Sequence, residues 1–119
     1  THPICFGLLN TTVSDNIMLL GDAALQVKPF SGGGIIYSFI CADIAAKVIS
    51  DALIENSFTA KVLAEYDRRW KSHLAEKIKI GLGIRQTLNN LSDTELDTFF
   101  SLMSHNRKSI ENFGDMDFL

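Results

Sequence analysis

Three consecutive glycines, Gly32, Gly33 and Gly34, stand between Lys28-Pro29-Phe30-Ser31 and a nearly all-apolar run that begins at Ile35. No other feature limits the folding of this chain so sharply. Pro29 fixes one backbone dihedral, and the triplet behind it permits conformations closed to other residues while exposing amide N–H groups. The apolar run over residues 35–46 predicts a helix that continues to about Leu53, so the glycine amides fall at a helix N-terminus. Unpaired donors and the positive end of the helix dipole, about half a unit charge, suit that end to an anion. Gly33 in particular is expected at a positive φ or at the close approach of a ligand.

Upstream, Asn16-Ile17-Met18-Leu19-Leu20 is a short apolar run closed by Gly21, which predicts a buried strand, and a second strand is predicted around residues 3–8. Asp22 then lies just past a strand end. Gly21, Ala23 and Ala24 leave room around it, and an ionised Asp accepts hydrogen bonds from two hydroxyls, such as those of a ribose or ribityl chain. Standing alone, Asp22 would read as a turn or cap residue. The neighbouring glycine triplet, together with the family resemblance it takes part in, turns the reading toward a ligand.

Gly21-Asp22-Ala23-Ala24, then after four residues Pro29-Phe30-Ser31-Gly32-Gly33-Gly34-Ile35 with Tyr37 close behind, resembles the second flavin-binding motif of the geranylgeranyl reductase family. These are FAD-dependent oxidoreductases of the hydroxylase-like flavoprotein superfamily. The resemblance implies that Asp22 contacts the ribityl chain of FAD and that Gly32, Gly33 and Gly34 lie beside the pyrimidine edge of the flavin. Gly21, Pro29 and Ile35 complete the implied cofactor-binding set. Related aromatic hydroxylases carry Pro-x-x-Gly-Gln-Gly-x-Asn at the second element. Gly33 stands here where they have Gln, and Ile36 where they have Asn, which favours the reductase branch. Two residues depart from the family pattern: Leu25 replaces a frequent Gly, and Ser31 a common Thr. Leu25 can narrow the pocket or pack beneath it.

The fingerprint Gly-x-Gly-x-x-Gly, which holds the ADP diphosphate in such proteins, occurs nowhere in the chain. Gly81-Leu82-Gly83-Ile84-Arg85-Gln86 is the nearest imitation, but it follows a charged helical pattern and reads as a helix irregularity. The aromatic substrate-cavity motif of these reductases, Tyr-x-Trp-x-Phe-Pro, is also missing. The chain is therefore expected to be a fragment, the C-terminal third of a larger flavoprotein.

With 119 residues, nearly half of them hydrophobic, and a net charge of −3, the chain suits one small folded unit and is a poor nucleic-acid binder. Cys5 and Cys41 have neither metal-type nor disulfide-framework spacing, so a reducing cytoplasm is the default compartment. Thr1-His2-Pro3 carries no signal-peptide pattern. The apolar run after Gly34 is too short, and too interrupted by Asp43 and Lys47, for a membrane span of roughly twenty apolar residues. It reads as a buried helix packed on a sheet, with Cys41, Tyr37 and Phe39 as packing residues and Asp43 facing a polar rim or pairing with Lys47. His2, His73 and His105 are too scattered for a metal site.

A boundary falls at Glu55-Asn56-Ser57, beyond which the pattern is helical throughout. Ser57 or Thr59 caps a helix whose apolar stripe is Leu63, Tyr66, Trp70, Leu74 and Ile78, with Glu65–Arg69 and Asp67–Lys71 pairs on its outer face. Ser92-Asp93-Thr94-Glu95 has the form of a capping box and opens another helix through Phe99, Phe100 and Met103. A last helical turn is expected over residues 106–113, ended by Gly114. Between Lys61 and Arg85 there are seven basic residues against three acidic, and from Asp93 onward six acidic against two basic. A solvated face explains the basic stretch most simply, with approach to anionic lipid or to a substrate phosphate as the functional alternative.

The expected fold is thus a mostly α-helical α+β fragment: residues 1–56 as the C-terminal part of an FAD-binding, Rossmann-like domain, and residues 57–119 as a helical subdomain. The resemblance implies reduction of isoprenoid double bonds in membrane-lipid biosynthesis, with an isoprenoid or isoprenoid-lipid substrate and reduced nicotinamide or ferredoxin as electron donor. No catalytic residue is named by this segment, and the segment alone is expected to be inactive. A flavin hydroxylase of the same superfamily and a non-catalytic helical interaction module are the competing readings.

Overall fold

The computed structural model describes residues 3–105. Chain order gives strand β1 (Val13–Ser14), strand β2 (Ile17–Met18), a 3-10 turn (Gly21–Ala24), and helices α1 (Ile35–Ile54), α2 (Ala60–Asn89) and α3 (Asp93–His105). The expected helical turn over residues 106–113 lies outside the described residues.

The two strands form one antiparallel hairpin, Val13 opposite Met18 and Ser14 opposite Ile17, closed by Asn16 at φ +59. Asn tolerates that left-handed conformation better than most residues. The hairpin tip is tied to the start of α2: Asn16 N–H donates to the Phe58 carbonyl at 2.8 Å, and Asp15 Oδ1 accepts from Ala60 N–H at 2.6 Å. The buried strand expected over residues 17–20 is therefore shortened to an exposed hairpin arm, with Ile17 and Leu20 both exposed. Residues 3–8 form no strand, because an extended segment becomes one only where a neighbour takes its backbone hydrogen bonds, and among the described residues none does.

Helix α1 ends in a Schellman motif. Ser57 N–H reaches the Ala52 carbonyl at 3.0 Å and Asn56 N–H that of Leu53 at 3.2 Å, with Asn56 at φ +49. Thr59 then caps α2, its hydroxyl accepting from Val62 N–H. Tyr37, Cys41, Ile44, Ala45, Val48 and Ala52 on α1 meet Leu63, Tyr66, Trp70, Leu74 and Ile78 on α2, the whole of the expected stripe, in one shared core. The apolar character of α1 extends beyond that interface, however. Ile35, Ile36, Phe39, Leu53 and Ile54 are exposed, so Phe39, read from sequence as a packing residue, is not one within these residues.

The ion pairs also need one correction. Glu65 pairs with both Arg68 and Arg69 at 2.6 Å near the surface, and those hydrogen bonds, that from Arg68 foremost, hold its carboxyl down at about 2. Asp67 and Lys71 pair at 2.6 Å but do not lie on an outer face. Both pack under the N-terminal segment: Asp67 Oδ1 accepts from the Thr12 amide and hydroxyl, and Lys71 donates to the Asn10 carbonyl. Helix α3 opens with the expected capping box, Ser92 and Glu95 exchanging hydrogen bonds, and buries no residue. No helix among the described residues is long and apolar enough to cross a membrane.

Candidate functional site

The Gly21–Ala24 turn and the start of α1 face each other across an open cleft of about 580 Å³. Each wall is shaped by left-handed backbone. Gly21 has φ +63 and Leu25 φ +56, so the chain reverses at both ends of the turn, and Gln26 N–H closes it on the Gly21 carbonyl at 3.0 Å. Leu25 thus occupies a conformation that favours glycine. Its Cδ1 lies 3.0 Å from where a Cβ on Gly7 would stand, so it packs beneath the turn against the N-terminal segment and does not line the cleft.

On the opposite wall the loop from Lys28 closes on itself, with Lys28 N–H donating to the Gly33 carbonyl at 3.0 Å and Gly32 N–H to the Lys28 carbonyl at 2.9 Å. Gly32 carries the positive φ of this loop, +76, and Gly33 does not. A Cβ on Gly33 would meet nothing closer than Ser31 Oγ at 3.4 Å. The reason is the hydrogen-bonding of the loop: the reversal that brings the Gly33 carbonyl back to the Lys28 amide falls at Gly32. Two of the three glycine amides are already engaged, Gly32 with Lys28 and Gly33 with the Ser31 hydroxyl at 3.3 Å. Gly34 occupies the cap position of α1, and no side chain caps that end. Donor character is therefore concentrated at the first turn of the helix.

Asp22, Gly32, Gly33, Gly34 and Ile35 all line the cleft, and Asp22 is exposed. The carboxylate reaches across to the helix start: a Cβ on Gly34 would lie 3.1 Å from Asp22 Oδ1. Gly21 and Pro29 sit behind the cleft. The Gly21 amide donates to Gln26 Oε1 at 2.8 Å. Pro29 is buried on α2, where a Cβ on Gly81 would come within 3.0 Å of its Cδ, and Arg85 donates to its carbonyl at 3.0 Å. Gly81, expected to be a helix irregularity, is instead the notch in a continuous helix that admits Pro29. The Arg85 guanidinium also lies 4.2 Å over the Phe6 ring.

Leu20, Ser38, Phe39 and Ala42 line the same cleft and were not anticipated. Ser38 and Phe39 were findable by helical spacing, since Ser38 follows Gly34 by four residues and so shares its face. Cys41 is buried, and burial pushes its thiol up to about 12, in keeping with a packing residue. Asp43 pairs with Lys47 at 2.7 Å on the surface. Among the described residues no cluster of His, Cys, Asp and Glu could hold a metal ion.

The cleft thus sets the Asp22 carboxylate, a hydrogen-bond acceptor, against a helix start that no side chain caps. Over 105 residues the chain is 36% identical to a digeranylgeranylglycerophospholipid reductase of Methanococcus aeolicus, covering 88% of this chain and 27% of that protein. It is 33% identical over 114 residues to a digeranylgeranylglycerophospholipid reductase of Methanopyrus kandleri, covering 96% of this chain and 28% of that one. An uncharacterised protein of Methanocaldococcus jannaschii is 38% identical over 119 residues, 98% of this chain and 30% of its own length. No family model and no solved structure matches the chain. These similarities bear out the resemblance to the geranylgeranyl reductase family, and the chain spans less than a third of the length of these relatives.

Proposed function

We propose that this chain is the C-terminal part of an FAD-dependent reductase of isoprenoid double bonds in membrane-lipid biosynthesis, and that the cleft between Asp22 and the start of α1 holds part of the flavin cofactor. Residues 1–56 contribute to a Rossmann-like FAD-binding domain and residues 57–119 form the helical subdomain packed behind it. The observation that carries the reading is the placement of Asp22 Oδ1 where a side chain on Gly34 would crowd it. A side chain there would press on the carboxylate, whereas glycine leaves it and the helix start open to one ligand.

The residues present fit such a group. Asp22 would accept from ribityl hydroxyls, and the positive dipole charge at the first turn of α1 would favour a group that carries negative charge, as a reduced flavin does. Gly32 and Gly33, with their own amides engaged in the loop, supply a surface without side chains against which a planar ring can lie. When bound, FAD supplies hydride for an isoprenoid alkene, and the protein supplies position and charge. Phe39 and Ile35, exposed at the cleft mouth, offer apolar surface to ring or isoprenoid. The names of the relatives support an isoprenoid phospholipid as substrate. Reduced nicotinamide or ferredoxin is the electron donor, and the protein works in the cytoplasm with peripheral contact to the membrane that carries its substrate.

Visible absorption of the longest native chain that contains this segment tests the reading. Flavin bands that survive purification are expected. A colourless protein that rejects added FAD would point to a helical interaction module instead.

A further inference from the structure

Behind the Asp22 turn runs a buried chain of hydrogen bonds whose direction is fixed at both ends. The Gly21 amide can only donate, and it does so to Gln26 Oε1 at 2.8 Å. The Gln26 amide nitrogen therefore faces Tyr66 and donates to its hydroxyl at 2.8 Å. That hydroxyl passes its own proton to the Leu19 carbonyl at 2.9 Å. Gln26 and Tyr66 are both fully buried, and no buried side-chain nitrogen or oxygen among the described residues lacks a partner.

Gln26 grips Gly21 twice, through its side chain to the Gly21 amide and through its own amide to the Gly21 carbonyl. Gly21 is the left-handed residue on which the turn pivots, and Asp22 follows it directly. The other end of the chain is Tyr66, set in the shared core on the rigid helix α2. A phenylalanine and an aliphatic residue would fill the same volume without any demand for partners. We propose that Tyr66 is a positioning residue for the flavin site, acting through Gln26 to fix the Gly21–Ala24 turn and so hold the Asp22 carboxylate over the start of α1. This role rests on the flavin reading given above. Burial raises the Tyr66 hydroxyl to about 12, which keeps it a donor to Leu19 throughout the physiological range.

The test is FAD titration of the longest native chain carrying this segment, followed by flavin fluorescence, for wild type, Tyr66→Phe, Gln26→Met, the double variant and Leu63→Val. Leu63 is a core residue of α2 outside the hydrogen-bonded chain. Each relay variant should raise the FAD dissociation constant about tenfold, the scale of one lost buried hydrogen bond. The double variant should lose little more, because both changes break one chain. Leu63→Val should lower the unfolding midpoint and leave affinity within about twofold. If Tyr66→Phe and Gln26→Met lower the midpoint while binding FAD as wild type does, the role is structural and this proposal is wrong, with the flavin reading intact. If wild type binds no FAD, the flavin reading falls and the positioning role with it.

Discussion

Trp70 donates its indole N–H to the hydroxyl of Thr12 at 2.9 Å, across 58 residues of sequence. The same hydroxyl donates to Asp67 Oδ1 at 2.7 Å, so Thr12 is a buried two-way junction between the N-terminal segment and α2. This junction holds the hairpin, and the cleft that follows it, against the helical core.

Replacing Thr12 by valine keeps the volume and removes both bonds. With the Trp70 N–H left buried and unpaired, stability should fall by about 1–3 kcal/mol. Urea unfolding followed by tryptophan fluorescence reads the change; a loss below about 0.5 kcal/mol would mean that water replaces the hydroxyl.

Asp67 gives the same junction a pH signature. Burial pushes its carboxyl up, but hydrogen bonds from Lys71 and from the Thr12 hydroxyl and amide outweigh this and hold it below the ordinary value. A depressed folded-state pKa contributes stability above the unfolded pKa, about 4, and that contribution is lost as pH falls through the lower folded value. Unfolding free energy should therefore drop below about pH 4 more steeply in wild type than in Asp67→Asn. Parallel slopes for the two proteins would contradict the assignment.

The two glycines of α2 should respond with opposite signs. Gly83→Ala meets nothing within 4 Å and should gain the helix-propensity difference, about 0.5–1 kcal/mol. Gly81→Ala puts a Cβ 3.0 Å from Pro29 Cδ, a ring that cannot turn aside, and should be destabilised by about 1 kcal/mol net. Thermal unfolding of the two variants checks the sign.

Much of this architecture was legible in the sequence. The stripe from Leu63 to Ile78 has strict helical spacing, and the Ser92–Glu95 box is a local pattern, so both survive folding unchanged. Asp22 and the glycine turn were legible for the same reason, as neighbours in one short stretch. What failed depended on partners far away. The strand around residues 3–8 needed a neighbour, the Asp67–Lys71 pair was placed outside because nothing in helical spacing announces Thr12 above it, and of the two readings offered for Gly33, a positive φ or a close ligand approach, the φ belongs to Gly32. Gln26 and Tyr66 stayed hidden because a polar residue in an apolar stretch and a tyrosine in an apolar stripe each look complete alone.

Thiol chemistry offers a simple check on the core. Cys5 is exposed, whereas Cys41 is buried with its thiol raised to about 12. At pH 8 iodoacetamide should modify Cys5 alone in the folded chain and both cysteines after denaturation. Equal labelling of both in the folded chain would contradict the packing of α1 on α2.

The central claim, that Asp22 and the start of α1 hold the flavin, is tested most directly by the FAD affinity of Asp22→Ala in the longest native chain. Loss of a charged acceptor for ribityl hydroxyls should weaken binding by about 1.5–3 kcal/mol, roughly tenfold to more than a hundredfold in the dissociation constant. The unfolding midpoint should hardly move, because Asp22 is exposed. Wild-type affinity in this variant would contradict the account.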